Sequence, residues 1–369
     1  MTGRGRLALA FGLTTYLAAW AFGSRPLYPV ALGLLLAVGV ASLWVRLSAR
    51  PAALTRTPRR ERYLEGEDVL LDLRVELDRG APPPGLVLAE QIAGLGERRV
   101  RLERHGRHAS AHLVLHSLPR GRYAFSAAEA VVEDPFGLER RVVPLGTAAA
   151  ILVYPRTVEL PSIFSENGPL ARDGRRQLQR RPSGFDLHSV REHVEGEPLR
   201  NVHWRTTARR GRLMVKEVED APRDEVAVVL DTGADVELLD LAVRAAGSLL
   251  LAHTGRGRKA ALVAGDDLER DPGRALERLA AVVSSPALPR LPEAHDLVLV
   301  GSRLPHGLVD RLVARTLGRR RIAVVWVAAD GVREPALLRL QSVGVPVALL
   351  HPGDDLATVL SGSAEVRSA

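Results

Sequence analysis

The chain has 369 residues, of which 46% are hydrophobic, and a formal net charge of +8. This length predicts two to three domains, and the hydrophobic content excludes a wholly disordered protein. The chain contains no cysteine, which excludes a disulfide framework, a thiolate metal site and a cysteine nucleophile.

Two apolar stretches, residues 7–23 and 26–45, contain no charged residue. Each approaches the roughly 20 residues that a helix needs to cross a hydrocarbon core. They predict two transmembrane helices within a hairpin over residues 1–50. The alternative is a cleaved signal peptide formed by the first stretch, and the second apolar stretch directly behind it argues against that.

The arginines around these stretches predict their orientation. Arg4 and Arg6 precede the first stretch, Arg25 alone lies between the two, and six arginines follow within residues 46–62. Because cytoplasmic flanks carry the excess of basic residues, both termini are expected in the cytoplasm. This describes a multi-pass protein of the inner (cytoplasmic) membrane.

Residues 51–155 show repeated two-residue alternation of apolar and polar positions, broken by turn signals rich in glycine and proline. Short strands at this spacing predict an antiparallel β-sandwich of immunoglobulin-like size. The alternating runs are residues 68–77, 86–92, 98–102, 112–115, 122–130 and 140–143.

Four histidines fall in this region: His105, His108, His112 and His116. Four residues of strand span roughly 13 Å, whereas the ligands of one zinc ion converge on bonds of about 2 Å. The histidines are therefore predicted to lie on the surface or on an edge strand, without a metal.

Residues 156–222 form a segment with concentrated basic charge. Between residues 172 and 216 there are twelve basic and five acidic residues, a net charge of +7. Residues 1–62 carry nine arginines and one acidic residue, a net charge of +8, so the remainder of the chain is acidic. The excess positive charge is confined to the apolar N-terminal region and this segment.

Residues 183–219 resemble the signature of the bacterial family called domain of unknown function 58. His193, Glu197 and Thr207 replace the aromatic, aspartate and serine that are usual in that family. The positions that make up the signature motif are Arg191, Glu192, Gly196, Glu197, Arg200, His203, Trp204, Ala208, Arg209, Gly211, Lys216 and Glu217.

The resemblance implies an architecture and a partner more than a reaction. Members of this family are membrane-anchored proteins with a von Willebrand factor A-like domain. They are often associated with MoxR-class ATPases of the AAA+ group and with transglutaminase-like membrane proteins. By this resemblance, a MoxR-class ATPase is the expected protein partner.

Three interpretations of the signature motif remain. Arginines around His203 and Trp204 suit phosphate or carboxylate, and Trp204 could stack on a base. Alternatively, Trp204 anchors a core and the charged residues Arg191, Glu192, Arg200 and Arg209 form an ion-pair network. Catalysis by His203 with Glu192 or Glu197 is disfavoured, because the sequence shows no recognisable nucleophile or oxyanion arrangement.

Residues 223–369 alternate between buried strands and amphipathic helices, which predicts a doubly wound α/β domain with a parallel sheet. Function in such folds is expected at the carboxyl ends of the strands. The predicted strands are 225–230, 259–264, 296–300, 322–327 and 345–350, and the predicted helices are 235–253, 272–283, 306–317 and 334–342.

The first of these strands ends at Asp231. The metal site of von Willebrand A-like domains has Asp-x-Ser-x-Ser here, but Gly233 and Asp235 replace the serines, and Gly301-Ser302 stands where a later aspartate is expected. Most of the oxygen ligands for Mg²⁺ are missing, so the site is predicted to be degenerate. Asp231 and Asp235 are then expected to cap the turn and the helix.

The sequence carries no Walker A or dinucleotide-binding motif. The function predicted from sequence is a membrane-anchored, non-enzymatic adaptor or assembly factor without a cofactor, which presents a cytoplasmic protein-binding domain. The alternative is binding of an anion or a nucleic acid through residues 172–216, although nucleic acid is the less favoured ligand.

Overall fold

A computed structural model describes most of the chain, which divides into two compact units, Met1–Tyr154 and Pro155–Ala369. Each unit is described by itself. For residues 166, 187–192 and 215–218 the description covers the backbone alone. The described residues are 1–146, 148–166, 187–192, 204–218, 225–233, 236–318, 320–329, 331–332 and 334–362.

The first unit begins with two helices, α1 (Gly3–Ala21) and α2 (Leu27–Leu47). They pack against each other, and the rings of Tyr16 and Tyr28 meet edge to face at 5.6 Å. Among the described helices, α2 is the one that is long and apolar enough to cross a membrane by length and composition. Helix α1 starts before the apolar stretch and includes Arg4 and Arg6, so the structure supports one candidate span near the N-terminus.

The rest of the first unit is β-rich, as predicted. One sheet has the strand order β1-β3-β7-β6, and the other has the order β2-β10-β8-β4-β5 with β9 paired to β8. The strands are β1 (Pro51–Pro58), β2 (Tyr63–Leu64), β3 (Val69–Leu77), β4 (Leu86–Ile92), β5 (Gly96–Arg101), β6 (Glu103–His105), β7 (His108–Leu115), β8 (Gly121–Glu133), β9 (Arg140–Pro144) and β10 (Ala149–Tyr154).

The two sheets share one hydrophobic core. Alternation determines which side chains enter it, because every second residue of β3 from Val69 to Leu77 is buried. All six predicted runs fall on strands, namely β3, β4, β5, β7, β8 and β9. The alternation did not reveal β1, β2, β6 or β10.

The four histidines of this unit do not meet at one point, although the rings of His105 and His108 stack with their centroids 6.1 Å apart. His112 contacts Asp72 at 2.6 Å and His116 contacts Asp68 at 3.0 Å, while His108 lies 3.3 Å from Arg74. The side chains of His112 and His116 are 66% and 77% exposed, which confirms their surface position. Strand β7 is not an edge strand, because it pairs with β3 and β6, whereas His105 lies on β6 at the edge of the described sheet.

The second unit contains a six-stranded sheet, counted over the described residues, in the order β15-β14-β13-β16-β17-β18. All neighbours are parallel except β14 and β15. The strands are β13 (Glu225–Leu230), β14 (Lys259–Ala264), β15 (Asp267–Glu269), β16 (Asp296–Gly301), β17 (Arg321–Val327) and β18 (Val347–Leu350).

Helices cover both faces of this sheet. Val226 and Val228 of β13 pack in one core with α4, α5 and α8, while Ala227 and Val229 pack in another with α6 and α7. The helices are α4 (Val236–Gly255), α5 (Pro272–Ala281), α6 (His306–Leu317), α7 (Pro335–Ser342) and α8 (Leu356–Ser361). The chain therefore winds in both directions from β13, as a doubly wound sheet requires.

All five predicted strands and four predicted helices of this unit are present, and β15 and α8 are additional. Upstream of the sheet lie a short 3₁₀ helix (Phe164–Glu166), an antiparallel pair formed by β11 (Leu187–Glu192) and β12 (Met214–Val218), and helix α3 (Trp204–Arg210). Asp235, the predicted helix cap, lies outside the described residues.

Candidate functional site

The strand order places the topological switch point of the sheet between β13 and β16. From β13 the chain crosses to β14 on one side and later returns to β16 on the other. Ligands of doubly wound sheets bind in the crevice at the carboxyl ends of two such strands. Asp231 directly follows β13, and Arg303 comes two residues after β16.

Asp231 and Arg303 form a bidentate ion pair at this crevice. Arg303 Nε donates to Asp231 Oδ2 at 3.1 Å, and Arg303 Nη2 donates to Asp231 Oδ1 at 2.6 Å. The Asp231 side chain is fully buried and that of Arg303 is 30% exposed. The hydrogen bonds to Asp231 are the main cause that raises the pKa of Arg303 above its ordinary value.

The same guanidinium also holds the loop that joins α5 to β16. Arg303 Nη1 donates to the carbonyl of Pro286 at 3.1 Å, and Nη2 donates to that of Ala287 at 3.1 Å. The backbone N–H of Ser285 donates to the Thr232 carbonyl at 2.9 Å. Arg303 thus connects the two strand ends and this loop through one planar group.

Two glycines make room for the pair. A Cβ on Gly233 would lie 1.6 Å from Arg303 Cζ, and a Cβ on Gly301 would lie 2.4 Å from Asp231 Cβ. Gly233, which replaces an expected serine, thus makes room for the Arg303 side chain, and Gly301, which stands where the aspartate is expected, makes room for Asp231. The backbone N–H of Gly233 donates to Asp231 Oδ1 at 3.1 Å, which confirms that Asp231 caps its turn.

The geometry argues against a cation at this position, because the guanidinium already neutralises the carboxylate that would bind it. No group of three or more histidine or acidic side chains that could hold a metal occurs among the described residues. The crevice therefore contains a hydrogen-bonded ion pair without net charge. Its exposed part is the planar guanidinium of Arg303.

Apolar side chains border this edge of the sheet. In the loop after α5, Val283 is 76% exposed and Leu288 is 48% exposed. Helix α5 ends at this edge, since Ser285 contacts Thr232, and Val283 and Leu288 both belong to the loop whose Ala287 carbonyl accepts from Arg303. Exposed apolar side chains grouped at one edge of a domain are candidate contacts for a protein partner.

Sequence reasoning found Asp231 but missed Arg303, which is 72 residues away along the chain. Its sequence signal is an arginine placed shortly after the carboxyl end of a buried strand next to β13. That signal becomes informative once the strand order is known.

The signature motif lies upstream of the sheet, and the structure describes part of it. Arg191 and Glu192 belong to β11, and Lys216 and Glu217 belong to β12; Arg191 pairs with Val215 in the ladder. Gly211 follows α3 with φ +66°, a conformation that favours glycine. Gly196, Glu197, Arg200 and His203 lie outside the described residues.

Trp204 begins α3 and is 63% exposed, so the interpretation that it anchors a core is wrong. Ala208 and the arginines Arg205, Arg209 and Arg210 of the same helix are also exposed. The described part of the motif therefore presents an aromatic ring among cationic groups at the surface.

The family model described as "Protein of unknown function DUF58" matches residues 189–293. This match supports the DUF58 family. It extends from β11 through α5 into the loop that Arg303 holds, so it includes the described part of the signature motif, Asp231 and Gly233. No curated protein matches the chain.

Solved structures give weak likenesses. Cwp6 from Clostridium difficile is 10% identical, with 82% of this chain and 38% of that one covered and a TM-score of 0.19. A glycosyl hydrolase family 2 member from Bacteroides cellulosilyticus is 10% identical, with 80% and 37% covered and a TM-score of 0.18. The exo-chitosanase CsxA of Amycolatopsis orientalis is 12% identical, with 85% and 34% covered and a TM-score of 0.16. The chain spans well under half the length of each, and these scores carry no argument about fold or activity.

Proposed function

We propose that this DUF58-like chain is a non-enzymatic adaptor, anchored in the inner membrane by α1 and α2, that presents a protein-binding surface in the cytoplasm. The carrying observation is the Asp231–Arg303 pair, which fills the crevice where a doubly wound fold would bind a small ligand or metal. The exposed Val283 and Leu288, in the loop that Arg303 holds, suit a protein partner. A MoxR-class ATPase is the partner we propose, from the family resemblance.

The outward-facing side chains of the two helices support a membrane hairpin. At 1.5 Å per residue, α2 with 21 residues is about 31 Å long, close to the hydrocarbon thickness of about 30 Å, and the apolar part of α1, residues 7–21, is about 22 Å long. Their apolar side chains are turned outward: Leu7, Phe11 and Trp20 are between 64% and 73% exposed. Such a surface is unfavourable in water and favourable in lipid.

We also propose a more specific fold for each unit from its sheets and helices. Two sheets around one core support an immunoglobulin-like sandwich for the first unit. Helices on both faces of a mostly parallel sheet, with Asp231 at the switch point, support a von Willebrand A-like domain for the second.

Crosslinking in intact cells tests the adaptor. The full chain is crosslinked in its membrane, and the attached proteins are identified with and without the substitution Leu288→Arg. We expect a MoxR-class ATPase on the natural chain and a large loss of it with Leu288→Arg, because a charge is then buried at the interface.

Leu317→Arg is the matched control, since Leu317 is 73% exposed at the end of α6, on the opposite edge of the sheet. Equal recovery of the ATPase with all three chains, or its absence from the natural chain, contradicts the proposed surface.

A second candidate function rests on α3. The 63% exposed Trp204 with Arg205, Arg209 and Arg210 around it is the arrangement that stacks and neutralises single-stranded nucleic acid. Binding through Z phosphates of a single strand would fall with salt at a log–log slope near −0.7Z. This function would be favoured over the adaptor by two results together. The chain binds nucleic acid with a steep slope that Trp204→Ala and Arg209→Gln abolish, and it does not bind the ATPase.

A further inference from the structure

The sandwich has a distinct end at which both helices enter it. The backbone N–H of Thr2, at the start of α1, donates to the Leu138 carbonyl at 3.1 Å. At the end of α2, Ala81 N–H donates to the Leu47 carbonyl at 2.9 Å, and Trp44 Nε1 donates to the Pro82 carbonyl at 3.0 Å.

The strand register shows which other segments lie at this end. Leu77 pairs with Pro51, Glu76 with His108, Leu86 with Val132 and Glu133 with Arg140. The β3–β4, β6–β7 and β8–β9 connections therefore all meet at the end that the helices enter. We call the set of segments there the basic rim, which comprises residues 4–6, 46–50, 78–85, 105–107 and 134–141.

The basic rim contains eight arginines and three carboxylates, a net charge of +5. Arg50, Arg79, Arg107 and Arg140 are exposed. Among the residues that the structure describes, none of these four has an ion-pair partner. One of the three carboxylates, Asp134, is only 4% exposed, so it offsets little of this charge at the surface.

The β8–β9 turn adds an apolar tip to the rim. Asp134 accepts hydrogen bonds from the backbone N–H of Phe136 at 2.9 Å and from that of Glu139 at 2.6 Å. The turn is thus held in one conformation, and it leaves the Phe136 side chain outside the core, with the residue 74% exposed. An exposed ring on a constrained turn has no role in packing the sandwich.

We propose that the basic rim docks on the headgroups of an anionic phospholipid bilayer, with the Phe136 ring inserted at the interface. The proposal rests on the membrane anchor proposed above, because the helices bring the rim to the bilayer surface. Arginines then gain from the negative surface potential, and an apolar phenyl ring can insert at the boundary between headgroups and acyl chains. The sandwich is in this view held against the membrane rather than tethered below it.

The absence of cysteine from the chain allows a site-specific test. Pro135→Cys places an environment-sensitive fluorophore beside the intact Phe136, and Ala93→Cys places it in the exposed β4–β5 turn at the opposite end of the sandwich. The full chain is reconstituted into vesicles of phosphatidylcholine, with or without phosphatidylglycerol, that contain nitroxide-labelled lipid.

We expect a blue-shifted and quenched label at position 135 in the phosphatidylglycerol vesicles, less of both in pure phosphatidylcholine, and a water-exposed label at position 93. Phe136→Ser should reduce the quenching. Arg79→Gln with Arg107→Gln should lower the ratio of docked to undocked protein on the order of fivefold per arginine, whereas Arg98→Gln with Arg122→Gln, away from the rim, should not.

An alkaline carbonate wash separates the two ways of failing. A chain that stays in the vesicles but has labels equally water-exposed at positions 135 and 93 overturns rim docking and leaves the anchor standing. A chain that is washed out of the vesicles overturns the anchor itself.

Discussion

The two units of the molecule hold a buried carboxylate on an arginine in different ways. In the sandwich, Arg56 of β1 donates to Glu90 of β4 through Nε at 3.0 Å and Nη2 at 2.9 Å, and the two side chains are 5% and 0% exposed. In the α/β unit, the partner of the buried Asp231 is Arg303, whose side chain is 30% exposed at the edge of the sheet.

The pair in the sandwich is buried and structural, whereas the pair in the α/β unit is partly accessible from solvent. Arg56 and Glu90 come from different sheets, and the guanidinium lies 5.2 Å from the centre of the Phe125 ring, so this pair joins the sheets inside the core. Arg303 joins two strand ends and a loop at the surface, where a partner can contact it. The pairs are alike in chemistry and differ in what covers the cation.

The largest effect is expected in the sandwich. Glu90→Ala leaves Arg56 buried without this partner, which should lower the free energy of unfolding by about 3–5 kcal/mol. Arg56→Met with Glu90→Leu should recover most of the loss, because apolar groups replace both charges. Denaturant unfolding of the detergent-solubilised chain measures this.

The control is Glu97→Ala, which breaks the exposed pair with Arg99 and should cost about 0–1 kcal/mol. Similar losses from Glu90→Ala and Glu97→Ala would remove the distinction between a core pair and a surface pair.

The second expected effect is a pH dependence in the α/β unit. Burial lowers the pKa of His253 from 6.5 to about 4, with repulsion from Arg258 and Arg256 adding to the shift and Asp296 opposing it. Neither ring nitrogen has a hydrogen-bond partner among the described residues. The unfolded chain binds the proton near pH 6.5 and the folded chain near pH 4, so stability rises with pH between these values, by about 3 kcal/mol.

Replacing this side chain should remove that dependence. His253→Leu is expected to flatten the stability curve between pH 4 and 6.5, measured as melting temperature against pH. An unchanged slope in the variant would assign the pH dependence to other groups.

A smaller effect is expected at the crevice. Arg303→Ala leaves Asp231 buried without its cation, and because the guanidinium is partly solvated the cost should be about 1–3 kcal/mol. Arg303→Lys keeps the charge without the bidentate geometry. Its free energy of unfolding should lie between those of the natural chain and the Arg303→Ala variant. A loss from Arg303→Ala as large as that from Glu90→Ala would contradict the comparison.

The smallest effect is expected at Trp204. With the residue 63% exposed, Trp204→Ala should change the free energy of unfolding by no more than about 0.5 kcal/mol. A loss of about 3–5 kcal/mol, typical of a buried tryptophan, would restore the interpretation of Trp204 as a core anchor.

Periodicity in the sequence was sufficient for most of the α/β unit. Strands such as Glu225–Leu230 and Lys259–Ala264 are continuous apolar runs between turn signals, and the structure has them at the predicted bounds. Residues 267–269 and 356–361 are too short to show a period, so β15 and α8 were missed. In the sandwich, β1 has a proline at each end and no clean alternation, and its pairing with β3 depends on tertiary contacts.

The candidate site was predicted less well for a physical reason. The local pattern around Asp231 showed that metal ligands were missing, but not what replaced them. Arg303 reaches Asp231 because β13 and β16 are neighbours in the sheet. The sequence around either residue does not indicate this strand order. The pair of Arg56 and Glu90 was missed likewise, since its members lie on different sheets.

The orientation of the hairpin is the most direct test of the membrane-anchored adaptor. In the cysteine-free chain, Ser24→Cys marks the turn between α1 and α2, and Ala93→Cys marks the sandwich. A membrane-impermeant maleimide added to intact cells should label position 24, and should label position 93 only after lysis. Labelling of position 93 in intact cells, with position 24 protected, would contradict a cytoplasmic adaptor.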